Sequence, residues 1–442
     1  MFGKRRPRIA PRVRPGAQAV RLSLTRRSSA GRPACAGRAG RPLPPATRGP
    51  GRSANANAVA VELPNQPLDA LLFIAVVALV LLGMFVAYAT SYHEGWAHAA
   101  DHGSRVLFGA LAMLAGIVIP HRWYGGRCRW AVLALGLGLL AATLLFGESV
   151  KGADRWLRLP FVGIQLQPAE LAKFALPFWL AAHFADLEAQ REPDRRFSTS
   201  FLLPALVTLA FLVPTMLQRA IGTTFIMAAA ALAVFLLAGV RLRYLALLAL
   251  VLAGLVLGGI LMFPHGWHRL VGFLTGRPWQ QEQSIIAIAR GRVWGQWLNG
   301  SKQAVYFLPE VRTDFAVAAI CEEFGFLGSC GVFGLYGLVL WRGLTAGRWA
   351  SGHFGKYLAA GITVTVFLYA MVHIGVAVGF LPTTGQPLPF VSYGGTAMFA
   401  NLFAAGVLLN VSRYSGRGAG SHAASGKYQA AEPLFGAGQA HR

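Results

Sequence analysis

Several side chains of types that carry out chemistry lie inside or beside long apolar runs of this sequence. Glu170 and Lys173 are three residues apart, so on a helix they share one face. An ionisable side chain inside a membrane helix normally faces the bundle interior or a wet cavity. Two interpretations of this pair stay open: a structural ion pair, or a contact to a charged ligand.

Three carboxylates follow within residues 314–323. Asp314 lies about two helical turns before Glu322 and Glu323. Adjacent carboxylates on a helix point in different directions, and each is costly at membrane depth unless it is wet or paired. We expect at least one of them to line a cavity.

The segment between these two groups, from Pro264 to Thr313, is basic and aromatic. A net positive surface there suits an anionic ligand, and a solvated loop without a role is the alternative. Its acidic residues are Glu282 and Glu310. Its basic residues are Arg269, Arg277, Arg290, Arg292, Lys302 and Arg312. Aromatic residues interleave with these charges, as at a lipid interface or a sugar platform: Trp279, Trp294, Trp297 and Tyr306.

Residues 379–395 read GFLPTTGQPLPFVSYGG, which interrupts two long apolar runs. Irregular backbone at membrane depth is tolerated only where protein buries it or water bathes it. The prolines fix an extended path, and Gly394 and Gly395 allow close backbone approach or the start of a helix. The stretch predicts a cavity that opens outward, lined by Lys173, Asp314, Glu322 and the SYGG residues.

The elements that must position these groups are membrane helices. The chain has 442 residues, 55% hydrophobic and 13% charged, with a mean hydropathy of +0.49, which is too apolar for a soluble globular protein. Apolar segments of spanning length predict an all-α polytopic membrane protein with about ten transmembrane helices. Their centres lie near residues 80, 112, 138, 178, 208, 230, 253, 328, 368 and 402.

An even number of spans puts both termini on one side of the membrane. Basic residues concentrate in residues 1–68 and after residue 412, which predicts cytoplasmic termini and places the large loop between helices 7 and 8 in the periplasm. We expect a basic disordered segment at 1–65, a membrane domain at 66–413 and a disordered tail at 414–442. The first segment has no apolar h-region, so it is not a secretory signal peptide, although its composition is similar to that of an organellar transit peptide.

The net charge of +24 does not indicate nucleic-acid binding, because the excess lies at membrane edges and in the N-terminal segment. The cysteines match no metal-binding spacing and are interpreted as packing residues rather than a disulfide or a zinc site. They are Cys35, Cys128, Cys321 and Cys330.

Four blocks, in this order and spacing, resemble the SEDS (shape, elongation, division, sporulation) family of FtsW/RodA-type proteins. They are GADRW with QPAELAK (152–156 and 167–173), QSIIAIARGRVWGQ (283–296), LPEVRTDFAVAAICEEFGFLG (308–328) and LPTTGQPLPFVSYGG (381–395). The resemblance implies a peptidoglycan glycosyltransferase of the bacterial inner membrane that polymerises lipid II. It also implies a class B penicillin-binding protein and divisome proteins as partners. The LPTTG block is more similar to the FtsW form than to the RodA form, which favours division over elongation.

The resemblance also implies the site. A lipid pyrophosphate needs basic donors at the outer membrane edge, a carboxylate base, and a divalent metal ion (Mg or Mn) or basic side chains at the leaving group, with no organic cofactor. Candidate catalytic residues are Glu282 and Asp314. Candidate substrate-binding residues are Arg155, Glu170, Lys173, Gln283, Ser284, Glu322, Ser392, Tyr393, Gly394 and Gly395.

The chain departs from the family pattern at three places. The family keeps an Asp in the outer loop as the favoured base, whereas this chain has no Asp between Asp194 and Asp314. Arg219 and Ala220 stand where the family has Pro-Asp, and His373 stands where it usually has Asn. Glu282 is the only carboxylate left near the position of the family base. Two interpretations stay open: a base drawn over the cavity mouth by Arg277 or Arg290, or a solvated loop acid without a role. Three alternatives to a division-type lipid II polymerase stay open: a catalytically silent scaffold for a penicillin-binding protein, a lipid-linked precursor translocase, and a RodA-like elongation polymerase.

Overall fold

The computed structural model describes residue 64 and residues 66–91, 96–126, 128–150, 153–158, 165–190, 197–297 and 301–414. The segments 1–65 and 414–442, which we expect to be disordered, lie outside the described residues except for Pro64 and Tyr414. In the described part the α-helices are α1 (Ala70–Ser91), α2 (Trp96–Val118), α3 (Cys128–Phe146), α4 (Pro168–Ala189), α5 (Leu203–Leu217), α6 (Ile221–Leu237), α7 (Leu242–Met262), α8 (Pro264–Thr275), α9 (Trp279–Arg290), α10 (Lys302–Tyr306), α11 (Ala316–Trp349), α12 (His353–Ala377) and α13 (Gly395–Ser412).

Seven helices among the described residues are long and apolar enough to cross a membrane. They are α1, α3, α5 with the preceding turn from Ser198, α7, α11, α12 and α13. The other three predicted spans coincide with α2, α4 and the shorter apolar helix α6. Helix α4 is less apolar because it carries charged residues, and its buried residues run along most of its length. Protein rather than lipid therefore surrounds α4, which packs against α3, α6, α12 and α13.

The start of α1 and the end of α13 lie side by side. The backbone N–H of Gln66 donates to the carbonyl of Arg413 at 3.2 Å, and that of Ser351 donates to the carbonyl of Tyr414 at 2.9 Å. At the other end of α1, the Arg312 guanidinium donates to the carbonyl of Thr90 at 2.8 Å. The 22 residues of α1 span roughly 33 Å, so residues 312–314 lie at the opposite end of the bundle from Gln66.

A small antiparallel sheet precedes α4 in the otherwise mostly helical described chain. Strands β1 (Glu148–Val150), β2 (Ala153–Arg158) and β3 (Gln165–Leu166) form a meander in the order β1-β2-β3. Strand β2 carries Arg155 at the entrance to α4, which it contacts.

The segment from Pro264 to Thr313 is mostly helical rather than an extended loop, since it contains α8, α9 and α10. Helix α9 is fixed to the end of α12 by two buried side chains. The Gln281 amide donates to the carbonyls of Val376 and Leu381 at 2.9 and 2.7 Å, and the Ser284 hydroxyl donates to the carbonyl of Ala377 at 2.7 Å.

Helix α11 is interrupted at Gly325, whose φ of 64° and ψ of −161° are not helical. The chain at 292–297 takes over the backbone hydrogen bonds that this break would leave unmade. Gln296 and Trp297 donate to the carbonyls of Glu322 and Glu323 at 2.8 and 3.1 Å. In return, the N–H groups of residues 326 and 327 donate to the carbonyls of residues 292 and 293 at 2.9 and 3.3 Å. These four bonds give backbone groups at the interruption partners within the protein, which irregular backbone inside a membrane requires.

Candidate active site

Asp314 lies in the turn before α11, at the end of the bundle opposite to Gln66, and its side chain is half-buried. Its carboxylate faces the guanidinium of Arg269 across Gly385. A Cβ atom built on Gly385 would lie 3.6 Å from Oδ2 of Asp314 and 3.9 Å from Nη1 of Arg269. Gly385 has a φ of 68°, so glycine serves both the backbone conformation and the close approach. The loop from Leu381 to Gly385 thus forms one side of an acidic and basic cluster.

The predicted SYGG element supports the backbone beside Asp314. The Ser392 hydroxyl donates to the carbonyl of Thr313 at 2.8 Å, and the Tyr393 backbone N–H donates to the carbonyl of Arg312 at 2.8 Å. The Asp314 N–H donates to the carbonyl of Glu310 at 2.9 Å. These three bonds fix the turn from two sides, so Ser392 and Tyr393 hold Asp314 in place through the main chain.

The Tyr393 side chain of the SYGG element contacts residues in the first half of α2. The Tyr393 hydroxyl donates to the Asp101 carboxylate, and its ring lies 3.9 Å from the Arg105 guanidinium carbon and is stacked on His102 at 5.7 Å. Gly395 begins α13, as predicted for a helix start, and Gly394 precedes it in an extended conformation. The structure thus attaches Tyr393 to α2.

Arg269 was recognised from the sequence only as one basic residue of the outer segment. In the structure it lies on α8, and its Nη1 donates to the carbonyl of Thr383 at 3.0 Å. Burial lowers the pKa of Arg269, and the nearby Asp314 carboxylate opposes that shift. Arg269 therefore joins α8 to the 381–385 loop, and its positive charge lowers the pKa of Asp314 more than that of Arg155 does.

Burial is the largest cause that raises the pKa of Asp314 above its usual 3.8, and the neighbouring Glu310 raises it further. The positive charges of Arg269 and Arg155 lower it, as does a hydrogen bond from Thr313. A carboxylate with a raised pKa binds a proton more readily than an ordinary Asp, which is the property that a general base requires. Asp314 is the predicted site residue whose surroundings best suit proton transfer.

Arg155 reaches the same cluster from β2. It is half-buried, its charge acts on both Asp314 and Arg269, and its Nε is buried without a hydrogen-bond partner in the described structure. A buried donor without a partner costs free energy unless a ligand or water satisfies it. The prediction that Arg155 contacts substrate is compatible with this position.

Lys173 and Glu170 lie deeper, beneath this cluster. Lys173 Nζ is 2.7 Å from Glu170 Oε2, both side chains are fully buried, and Tyr369 donates its hydroxyl to the same carboxylate at 3.1 Å. Lys173 Nζ is also 3.3 Å from the centroid of the Tyr369 ring. Asp314 is close enough to Tyr369 to interact with it electrostatically. The ion pair, one of the two interpretations of this spacing, is present, while a ligand contact stays a prediction.

The Glu322 carboxylate is engaged in hydrogen bonds within the described structure, and the expectation that it lines a cavity stays a prediction. It is fully buried and accepts the backbone N–H groups of Gln303 and Ala304 at 3.1 and 2.7 Å, with Arg290 Nε at 3.5 Å. These are the N–H groups at the start of α10, where a carboxylate is favourable. Gln283 accepts a hydrogen bond from the Gln303 side chain, so it belongs to this group as well.

Glu282 is exposed on α9, and among the described residues it forms neither an ion pair nor a side-chain hydrogen bond. The expectation that Arg277 or Arg290 draws it over a cavity is not met for Arg290, which pairs with Glu322. The adjacent Gln281 and Ser284 are buried against α12, and the helical period therefore turns Glu282 away from that contact. The two catalytic candidates thus occupy different surroundings.

The 381–387 loop, which forms one side of the site, is held in place by His373 and Gln386. His373 is one of the positions at which the chain departs from the family pattern. A ring nitrogen of His373 lies 2.7 Å from the carbonyl of Gln386, and the Gln386 side chain bonds Thr223 on α6 at 3.1 Å. His373 therefore keeps a structural function, in which it fastens the loop to α12. The sequence contained no signal for this bond, since the partners belong to separate elements.

Comparisons with known proteins agree with this architecture. The family model of FtsW, RodA and SpoVE, described as cell cycle protein, matches residues 69–417. The chain is 33% identical over 365 residues to a protein of Geobacter metallireducens named probable peptidoglycan glycosyltransferase FtsW, and the match covers 78% of this chain and 94% of that protein.

Solved structures show the same fold. The rod shape determining protein RodA of Thermus thermophilus is 25% identical with a TM-score of 0.60, over 78% of this chain and 97% of that one. A chain from a structure titled "Structural coordination of polymerization and crosslinking by a peptidoglycan synthase complex" is 26% identical with a TM-score of 0.65, over 78% of this chain and 98% of that one.

Proposed function

The chain belongs to the FtsW/RodA/SpoVE family of cell cycle proteins, and on that premise we propose that it is a peptidoglycan glycosyltransferase that polymerises lipid II into glycan strands during cell division. The observation that carries the proposal is the position of Asp314. A half-buried carboxylate with a raised pKa lies at one end of a helical bundle, beside two guanidinium groups. Glycosyl transfer needs a base near the attacking hydroxyl and anion-binding groups near the leaving diphosphate.

In the proposed reaction, a sugar hydroxyl attacks the anomeric carbon of a second lipid-linked sugar. The new bond joins the hydroxyl oxygen to that carbon, while the bond from the carbon to the phosphate oxygen breaks. Asp314 takes the hydroxyl proton, and the diphosphate leaves with the bonding electron pair. Arg155 and Arg269 carry positive charge beside Asp314. In the proposal they bind the leaving diphosphate, where negative charge develops, so they stabilise the transition state more than the ground state.

Glu282 is the other catalytic candidate from the sequence. Among the residues that the structure describes, Glu282 forms no ion pair and no side-chain hydrogen bond to the cluster of Asp314, so we assign the base to Asp314. Lys173, Glu170, Gln283, Ser284 and Glu322 contribute through the buried bonds described above, which fix the helices around the site.

The topology that we propose has ten spans, α1 to α7 and α11 to α13, with both termini in the cytoplasm and residues 264–313 in the periplasm. The bond between Gln66 and Arg413 supports termini on one side, because it joins the first and last spans at the same end. The position of Arg312 at the opposite end of α1 supports a site on the outer side of a bacterial inner membrane. The match of the family model to residues 69–417 supports a membrane unit of 66–413.

For partners, we propose a class B penicillin-binding protein and other divisome proteins. The related structure whose title names a peptidoglycan synthase complex supports an assembly of polymerising and crosslinking activities. The exposed aromatic residues of the outer segment offer a surface for such a contact or for the lipid interface. The most exposed of them are Trp279, Trp294, Trp297 and Tyr306.

The test is polymerisation by the purified full-length protein with lipid II as the only substrate, alone and with its cognate penicillin-binding protein. Glycan ladders on a gel are the expected result. Unchanged lipid II together with intact partner binding would contradict the proposal and support the silent scaffold instead. Movement of lipid II across a vesicle membrane without polymerisation would support the translocase.

A further inference from the structure

Arg219 belongs to the cluster around Asp314, although the sequence marked it only as a departure from the family pattern. It lies in the turn between α5 and α6 with a φ of 59°, and its side chain is exposed. Its guanidinium carbon is 5.7 Å from the ring centroid of Phe263, the residue that joins α7 to α8. The turn therefore brings Arg219 to the start of the helix that carries Arg269.

The turn between α5 and α6 also contacts the 381–387 loop, to which Arg269 donates a hydrogen bond. Gly222, at the start of α6, packs against the side chains of Thr384 and Gln386, and Thr223 is hydrogen-bonded to Gln386. Residues from β2, the α5–α6 turn, α8 and the 381–387 loop thus converge at one place. Because each element is fixed by hydrogen bonds or tight packing, the cationic groups are positioned before a ligand arrives.

His265, in the first turn of α8, reports how close these charges are to one another. Burial lowers its pKa below the usual 6.5, and the charges of Arg269, Arg155 and Arg219 lower it further. Three guanidinium charges therefore act on one imidazole, which stays neutral at pH 7. His265 and Arg269 are four residues apart on α8 and so share a face.

The residues around Asp314 are a poor set of donors for the divalent ion that the family resemblance implies. Mg²⁺ requires oxygen ligands in near-octahedral geometry and is usually held by one or two carboxylates together with substrate phosphates. Here the carboxylates of Asp314 and Glu310 are accompanied by the three guanidinium groups, which repel a cation.

We propose that Arg155, Arg219 and Arg269 bind the diphosphate of the lipid-linked substrate and neutralise it in place of a divalent cation. Guanidinium groups are always charged at neutral pH and bind phosphate oxygens with two parallel hydrogen bonds. The buried Nε of Arg155 supplies one donor that has no partner within the described structure. The inference rests on the proposed function and specifies how that site binds its leaving group.

The first test uses inorganic pyrophosphate as the probe, with the purified full-length protein in EDTA, and measures binding by titration calorimetry. Wild-type protein is expected to bind pyrophosphate without added metal. Arg219→Gln and Arg269→Gln are each expected to weaken binding by at least roughly tenfold, because each loses a hydrogen bond between a charged donor and a charged acceptor. Arg219→Lys keeps the charge and loses less.

The matched control is Arg158→Gln, which removes the same charge from β2 at an exposed position near Glu148. It is expected to bind pyrophosphate as the wild type does. Melting temperatures of all variants show whether the fold is intact. Arg219 is the more informative position, because its exposed side chain can be changed with less effect on the fold than that of Arg269.

Binding that requires Mg²⁺ or Mn²⁺, or that is unchanged in Arg219→Gln, overturns the inference. The second test adds lipid II, and polymerisation is expected to continue in EDTA. A protein that binds pyrophosphate through Arg219 but forms no glycan refutes the proposed function and leaves the anion site standing. A protein that polymerises only with a divalent ion refutes the anion site and leaves the proposed function standing.

Discussion

Lys173 Nζ lies 2.7 Å from Glu170 Oε2, and neither side chain is exposed. The pair is enclosed by α4 and α12, with the Tyr369 hydroxyl as a further partner of the carboxylate. Two charges removed from water are stable together only while each has its partner.

We therefore expect Lys173→Met to destabilise the protein strongly, by roughly 3–5 kcal/mol, because it leaves the Glu170 carboxylate buried and unpaired. The double variant Lys173→Met/Glu170→Gln is expected to recover much of that loss, since both charges are removed. Thermal unfolding in detergent gives the order of the three proteins. A double variant no more stable than the single one would show that the pair is not the source of the effect.

The two candidate bases can be separated by matched substitutions that keep side-chain size. Asp314→Asn is expected to lower the rate of polymerisation on the order of a hundredfold or more, because it removes the proton acceptor. Glu282→Gln is expected to polymerise normally, because this exposed side chain has no contact with the cluster. Rates from single-turnover experiments with labelled lipid II provide the comparison. The reverse order of effects would assign the base to Glu282.

The pH dependence of the rate should report the environment of Asp314. Burial raises the pKa of this carboxyl above 3.8, so the ionised base is lost, and the rate falls, at a higher pH than for an ordinary Asp. Arg269 lowers that pKa, so Arg269→Gln should move the acidic limb of the profile of kcat/KM to still higher pH. The position of the limb, rather than the absolute rate, is the quantity to compare. A limb that stays in place or moves to lower pH would show that Arg269 does not act on the base.

The interruption of α11 predicts a marked difference between two glycines of the same helix. Gly325→Ala should prevent stable folding, because its φ of 64° and ψ of −161° are strained for alanine and a Cβ there would overlap the backbone at Val293 and Gly295. Gly331→Ala should be tolerated, because a Cβ at that position meets nothing within 4 Å. Expression level and elution as a single species in size-exclusion chromatography measure the outcome. Equal behaviour of the two variants would contradict the proposed function of the interruption in packing.

Sequence alone was enough to predict the membrane class, the positions of the apolar helices, the polar blocks and the family. Apolar runs of spanning length and the order of four motifs are properties of the sequence, so they are recognisable without a structure. The interaction of Glu170 with Lys173 was also accessible, because a spacing of three residues fixes a shared helical face.

Only the tertiary structure decided which polar groups meet. Arg155, Arg219, Arg269 and Asp314 come from β2, a turn between helices, α8 and the turn before α11, and helical periodicity does not reveal which element lies next to which. The same limit explains Glu322, whose partners at residues 303 and 304 belong to a short helix that the sequence presented as loop. The hydrophobic pattern specifies the face that a helix buries, whereas packing of the whole chain determines which neighbour covers this face. That neighbour decides whether a carboxylate is engaged in hydrogen bonds, as Glu322 is, or available for chemistry, as we propose for Asp314.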